Sequence, residues 1–216
     1  MSYPLQRKLA VEFIGMFLFV FTVGMATEAA NKVGATLAPL AIGSVLMVIV
    51  FAGGHVSGGH YNPAVSTAVL IRGKLTQNEY VAYIVTQFVA AALSGLLVTA
   101  VGGKETAGAT ASIGKMLVVE FLFTFLLTYV VLNVATAKGT EGNSFYGLAI
   151  GFVVVVGAIS VGWISGAAFN PAIALGATIL GAFKWSHIWV YLLADFVGGA
   201  AGAGAFLFVQ GDHATA

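Results

Sequence analysis

The chain has 216 residues, of which 59% are hydrophobic and 8% carry a formal charge, and its net charge is +1. Soluble domains run about 25% charged, so this surface cannot face water all round. That excludes a soluble enzyme, a disordered chain and a binder of nucleic-acid phosphates. With no cysteine, disulfides, thiolate metal sites and a Cys nucleophile are excluded too. Frequent glycine (28 residues) on so apolar a background describes closely packed transmembrane helices.

A helix needs about 20 mostly apolar residues to cross a hydrocarbon core about 30 Å thick. In chain order such stretches run Lys8–Thr27, Thr36–Gly54, Asn78–Val101, Lys115–Thr136, Ser144–Trp163 and Ser186–Gln210. The first is too long, and lacks the following cleavage site, to read as a signal peptide. Two further apolar stretches, Asn62–Ile71 and Asn170–Leu180, hold only ten and eleven residues. At about 1.5 Å per residue they reach halfway across, so each reads as a re-entrant segment. The expected fold is an all-α membrane protein of six transmembrane helices plus two re-entrant half-helices. Trp163, Trp185 and Trp189 fall near span ends, where interfacial aromatics belong. With both termini cytoplasmic, Arg7, Lys8, Arg72, Lys74 and Lys138 lie inside, against Lys32, Lys104, Lys115 and Lys184 outside. That is a five-to-four excess in the positive-inside sense, with Arg7 and Lys8 leading the first span. Gly211–Ala216 reads as a short disordered tail, and the short loops suit a prokaryotic plasma membrane.

The halves repeat at a constant offset of 108 residues. Glu12-Phe13 matches Glu120-Phe121, Leu40-Ala41-Ile42-Gly43 matches Leu148-Ala149-Ile150-Gly151, and Tyr83 matches Tyr191. Ser57-Gly58 matches Ser165-Gly166, and Asn62-Pro63-Ala64 matches Asn170-Pro171-Ala172. Each half, 8–103 and 115–210, carries three spans, an odd number, so the two insert with opposite topology. That makes an inverted 3+3 repeat within a single domain over 1–216, its site at the repeat interface near the midplane.

Asn-Pro starts a helix, because Asn caps free N–H groups and Pro suits the first helical position. Two short helices entering from opposite faces meet there N-terminus to N-terminus, each carrying roughly half a positive charge. Such a centre repels cations and orients a passing dipole, and the Asn62 and Asn170 amides are placed to donate to a solute oxygen. Two copies in an inverted repeat weigh against a mere loop cap.

The stretches Ser57-Gly58-Gly59-His60-Tyr61-Asn62-Pro63-Ala64-Val65 and Ser165-Gly166-Ala167-Ala168-Phe169-Asn170-Pro171-Ala172 resemble the paired NPA signatures of the aquaporin (major intrinsic protein) family. The resemblance covers nearly the whole chain. It implies an aquaporin-like fold, one pore per subunit, a homotetramer and passive conduction of water or small uncharged solutes, with no cofactor. Asn62 and Asn170 would stand at the central constriction.

The family usually places an arginine just after the second motif, in its outer selectivity filter; this chain has Ile173. Counting from the motifs, the other filter positions fall at Ile42, Ala158 and Ala167, with Gly43 or Gly157 as one-residue alternatives for the two helical ones. Water-selective members tend to have an aromatic, a histidine and a small residue at those three positions. Losing the arginine removes a charge and five donors, so the expected filter is small, apolar and uncharged. It should be wider and a weaker cation barrier, admitting glycerol, urea, undissociated metalloid hydroxides or hydrogen peroxide. Closure by dewetting at Ile42 and Ile173 is the competing outcome.

Glu12 and Glu120, ionisable and repeat-related within spans, read as acceptors buttressing the motif loops, a role that matches the family; a proton-coupling carboxylate is the alternative. Asp195 pairs by repeat with Gln87 and reads as a helix-facing polar contact. His55 and His60 lack the further ligands a metal needs, so no metal site is expected, and His60 reads as holding its loop. His187 and His213 read as interfacial or tail residues. Gly15, Gly95, Gly198, Gly199, Gly202 and Gly204 suit close helix approach. Phe13, Phe17, Phe19, Phe121, Phe123 and Phe125 read as lipid-facing or packing residues. A secondary transporter would want asymmetric intramembrane charge, an adhesive protein an outer surface, and an enzyme a catalytic constellation. The residues favour a channel over all three.

Overall fold

A computed structural model describes residues 3–33, 37–102 and 112–211. The helices are α1 (Leu5–Val33), α2 (Ala38–Ser57), α3 (Pro63–Ile71), α4 (Gln77–Ala100), α5 (Ile113–Thr136), α6 (Tyr146–Ser165), α7 (Pro171–Ile179) and α8 (Ile188–Gln210). Among the described residues six are long and apolar enough to cross a membrane, and α3 and α7, at nine residues each, are not. His213, Lys104 and the tail beyond Gly211 lie outside the described residues.

The helix ends differ from the sequence expectation where caps take over. α2 and α6 each run three or two residues further, to Ser57 and Ser165, and stop where Gly58 and Gly166 adopt left-handed φ of 90° and 91°. Each glycine's N–H closes the last turn on Gly54 O or Gly162 O, and an L side chain there would be strained. α4 starts on a capping box, Thr76 with Glu79. Asn62 and Asn170 stand outside their helices as caps.

Within each half, α1 packs on α2 and α4, and α5 packs on α6 and α8. Between the halves, α2 crosses α6, while α3 lies mainly on α8 and α7 mainly on α4. Each half-helix is therefore seated chiefly against the other half. The α2–α6 crossing falls on the repeat pair Gly43 and Gly151: a Cβ on Gly43 would stand 2.6 Å from Gly151 O. No larger residue allows that approach, which accounts for the repeated glycine. Of the glycines expected at close approaches, five do face a neighbour within 4 Å; Gly204 does not, and faces open space.

Candidate functional site

Asn62 and Asn170 are extended residues whose side-chain oxygens cap the half-helices. Asn62 Oδ1 accepts from the N–H of Ala64 at 2.8 Å and Val65 at 3.4 Å. Asn170 Oδ1 accepts from Ala172 at 2.9 Å and Ile173 at 3.3 Å. Pro63 and Pro171 follow at the first helical position, where an N–H would have no partner in any case. The amide nitrogens reach across to the opposite half. Asn62 Nδ2 donates to Phe169 O at 2.9 Å, and Asn170 Nδ2 donates to Tyr61 O at 2.8 Å. This reciprocal clasp uses one N–H of each amide. The other remains for the cavity that both asparagines line.

The clasp requires an unusual backbone. Tyr61 and Phe169, a repeat pair, sit at φ of 45° and 47°, and Ala167 at 55°. Non-glycine residues pay about 1–2 kcal/mol for that region, but it aims the Tyr61 and Phe169 carbonyls at the opposite asparagine. Buried carboxylates hold both loops in place. Glu12 Oε1 accepts from Ser57 Oγ at 2.8 Å and His60 N at 2.9 Å. Its Oε2 accepts from Tyr61 N at 2.7 Å and Gln87 Nε2 at 2.9 Å. Glu120 accepts from Ser165 Oγ, from Ala168 N at 3.1 Å and from Phe169 N at 2.7 Å. Tyr83 and Tyr191 donate to the last carbonyls of α2 and α6, Ser57 O and Ser165 O. His60 Nδ1 lies 3.1 Å from Ser66 Oγ, tying the first loop to α3.

At the meeting point is a cavity of about 10 Å³, enough for the centre of one water molecule. Its walls include the repeat pairs Phe19 with Leu127 and Leu46 with Val154, so it lies between the two halves, beside Asn62 and Asn170. Below it opens a vestibule of about 870 Å³, lined by Lys8, Lys74 and Lys138 among others. His60, Val131 and Ile150 line both spaces and join them. Neither is lined by Ile42, Ala158, Ala167 or Ile173. Ile173 is 4% exposed in the third position of α7, and the other three are half-buried. The one-residue alternatives are taken up elsewhere: Gly43 faces α6, and Gly157 faces the rings of Phe169 and Phe123. Phe19, read from the sequence as lipid-facing or packing, is buried and packs inward. It is a wall of the central cavity and not a lipid-facing residue.

The fold and site define a multi-pass membrane protein whose two halves clasp across a water-sized cavity. Residues 1–208 match the family model described as Major intrinsic protein. The chain is 33% identical over 218 residues to Aquaporin NIP1-4 of Oryza sativa subsp. japonica, covering 97% of this chain and 79% of that protein. It is 36% identical over 206 residues to Glycerol uptake facilitator protein-like 6 of Lactiplantibacillus plantarum, covering 89% and 93%. The aquaglyceroporin of Plasmodium falciparum, 21% identical, shares the fold with a TM-score of 0.85 over 98% of this chain and 99% of its own. The chain belongs to the major intrinsic protein family. It is a membrane channel and not an enzyme.

Proposed function

We propose that the chain is a passive pore for water and small uncharged solutes, more permissive than a strict water channel. The carrying observation is the clasped Asn62–Asn170 pair facing a cavity wide enough for one water. A free N–H from each asparagine and two half-helix N-termini favour a solute oxygen and disfavour a cation. Pro63, Ala64, Pro171 and Ala172 complete the two half-helix starts, and Glu12, Glu120 and His60 support the loops.

In this reading Ile42, Ala158, Ala167 and Ile173 form the outer filter. Its support is the motif spacing, together with the packing of Gly43 and Gly157 against neighbouring helices. An uncharged, apolar ring fits glycerol, urea, undissociated metalloid hydroxides or hydrogen peroxide alongside water. The names of the relatives, an aquaporin and a glycerol uptake facilitator, agree with that range. We place the protein as one domain over 1–216 with halves 8–103 and 115–210, as a homotetramer in the plasma membrane of a prokaryote. Both termini would be cytoplasmic, since Lys8, Lys74 and Lys138, all assigned inside by charge, share one vestibule.

Stopped-flow uptake in proteoliposomes tests the reading with water, glycerol and urea. Flux of water plus at least one of the larger solutes is expected. Water passage with glycerol and urea both excluded would refute the permissive filter, and no flux above bare lipid would indicate a pore closed at Ile42 and Ile173.

A further inference from the structure

The two loop-bearing carboxylates have different fourth partners. Glu12 accepts four hydrogen bonds, which fills the lone-pair sites of an ionised carboxylate. The fourth comes from Gln87, which also donates to Ser66 Oγ at 3.1 Å. Glu120 accepts only three from Ser165, Ala168 and Phe169. At the repeat position of Gln87 stands Asp195, and at that of Ser66 stands Ala174. An ionised aspartate has no hydrogen to donate.

Asp195 is fully buried. Its Oδ1 accepts from Thr124 Oγ1 at 3.1 Å, while its Oδ2 has no well-formed hydrogen bond, the nearest backbone donor being the Asn170 N–H. Its carboxyl group lies within hydrogen-bond reach of the Glu120 carboxyl. Among the described residues no salt bridge reaches either carboxylate. Around it α5 brings Glu120, Thr124 and Thr128, and α8 brings Tyr191, whose O–H is used on Ser165 O. The loop before α7 brings backbone amides, and α3 and α7, also packed on α8, contain no titratable side chain. Two charged carboxylates in contact at this depth would be left unbalanced. One proton between them removes a charge and supplies the missing donor.

We propose that Asp195 is held as a neutral carboxylic acid whose Oδ2–H donates to Glu120. It would be a proton-bearing positioning residue that completes the hold on the loop Ser165–Asn170. Asp195 then does for the second loop what the Gln87 amide does for the first. Removing the proton sets like charges face to face and releases the loop that carries Phe169 O, the acceptor of the Asn62 clasp. The pore should therefore lose flux at alkaline pH.

Infrared spectroscopy of the full chain in proteoliposomes reads the proton directly and does not depend on which solute the pore passes. The wild type at neutral pH should show the C=O stretch of a protonated carboxylic acid, and Asp195→Asn should lack it. Stopped-flow water flux supplies the second arm. Asp195→Asn, whose amide keeps a donor at every pH, should stay within about twofold of wild type at neutral pH and remain flat under alkali. Wild type should fall roughly tenfold under alkali, and Asp195→Ala should show a similar loss at neutral pH. The proposal is overturned if the wild type shows no acid band, if the band survives in Asp195→Asn, or if Asp195→Asn conducts as poorly as Asp195→Ala.

Discussion

Glu12→Gln changes one atom type at the centre of the first loop, and its cost can be worked out bond by bond. The carboxylate now accepts from Ser57 Oγ, His60 N, Tyr61 N and Gln87 Nε2, all between 2.7 and 2.9 Å. A glutamine presents an NH₂ to two of those four donors. If its oxygen stays with Ser57 and His60, Gln87 can turn its own amide to accept, giving up the donation to Ser66. The Tyr61 N–H cannot turn, and it is left buried without a partner. An orphaned buried donor costs about 1–3 kcal/mol, and the lost charge on the remaining bonds adds roughly another 1. The total, about 2–4 kcal/mol, falls on a residue already held at φ 45°. At roughly 2–4 °C per kcal/mol for a chain of this length, thermal unfolding in detergent should shift down on the order of 10 °C. Glu141→Gln, at an exposed position, serves as the control. Unfolding of Glu12→Gln within about 2 °C of wild type, with unchanged water flux, would refute the view that this carboxylate holds the loop.

Ile173→Arg should cut glycerol flux by about tenfold while leaving water flux within a few-fold, since it adds a charge and five donors to the proposed filter. Unchanged glycerol flux would move Ile173 out of the constriction. Asn62→Asp replaces a donor with an anion at the central cavity. It should raise cation or proton leak, read with an entrapped pH dye, whereas a leak no greater than wild type would mean that the half-helix termini alone exclude cations. Gly43→Val places a Cβ 2.6 Å from Gly151 O. It should destabilise the fold by several kcal/mol and abolish the monodisperse peak on size exclusion.

Length, period and symmetry made part of this molecule readable from its residues alone. Ten or eleven apolar residues cannot cross a bilayer, so Asn62–Ile71 and Asn170–Leu180 had to be re-entrant. An odd number of spans per half had to invert the topology. The reading of Glu12 and Glu120 as acceptors for the motif loops rested on two carboxylates recurring at one offset inside apolar helices, and both do accept from those loops. Geometry between chain-distant residues could not be read this way. That Asn62 Nδ2 reaches Phe169 O depends on Tyr61 and Phe169 adopting left-handed φ, which no local propensity announces for aromatic residues. Which of the two roles left open for Phe19 it takes could not be read from the residues, for a related reason. In a helix apolar on every side, an aromatic facing lipid and one facing a narrow lumen look alike, and only packing against the other half separates them.

The two halves agree where backbone must meet backbone and differ where side chains meet the path. Gly43 and Gly151, Asn62 and Asn170, Tyr61 and Phe169, and Glu12 and Glu120 are matched pairs, and each fixes a crossing, a cap or a loop. His60, by contrast, is paired with Ala168, and both line the central cavity. The path is therefore polar at His60, toward the vestibule, and apolar on the opposite wall. On the proposed filter the apolar character continues outward through Ala167, Ile173 and Ile42. A water molecule entering there gives up hydrogen bonds for which the wall offers no replacement. Glycerol recovers part of its cost, because its carbon face can lie on the isoleucines. The expected signature is a glycerol-to-water flux ratio that falls when polarity is restored at Ile42, as in Ile42→Thr, although the smaller side chain also widens the pore slightly. A ratio that instead rises in Ile42→Thr would mean that diameter, and not desolvation, sets what this pore admits.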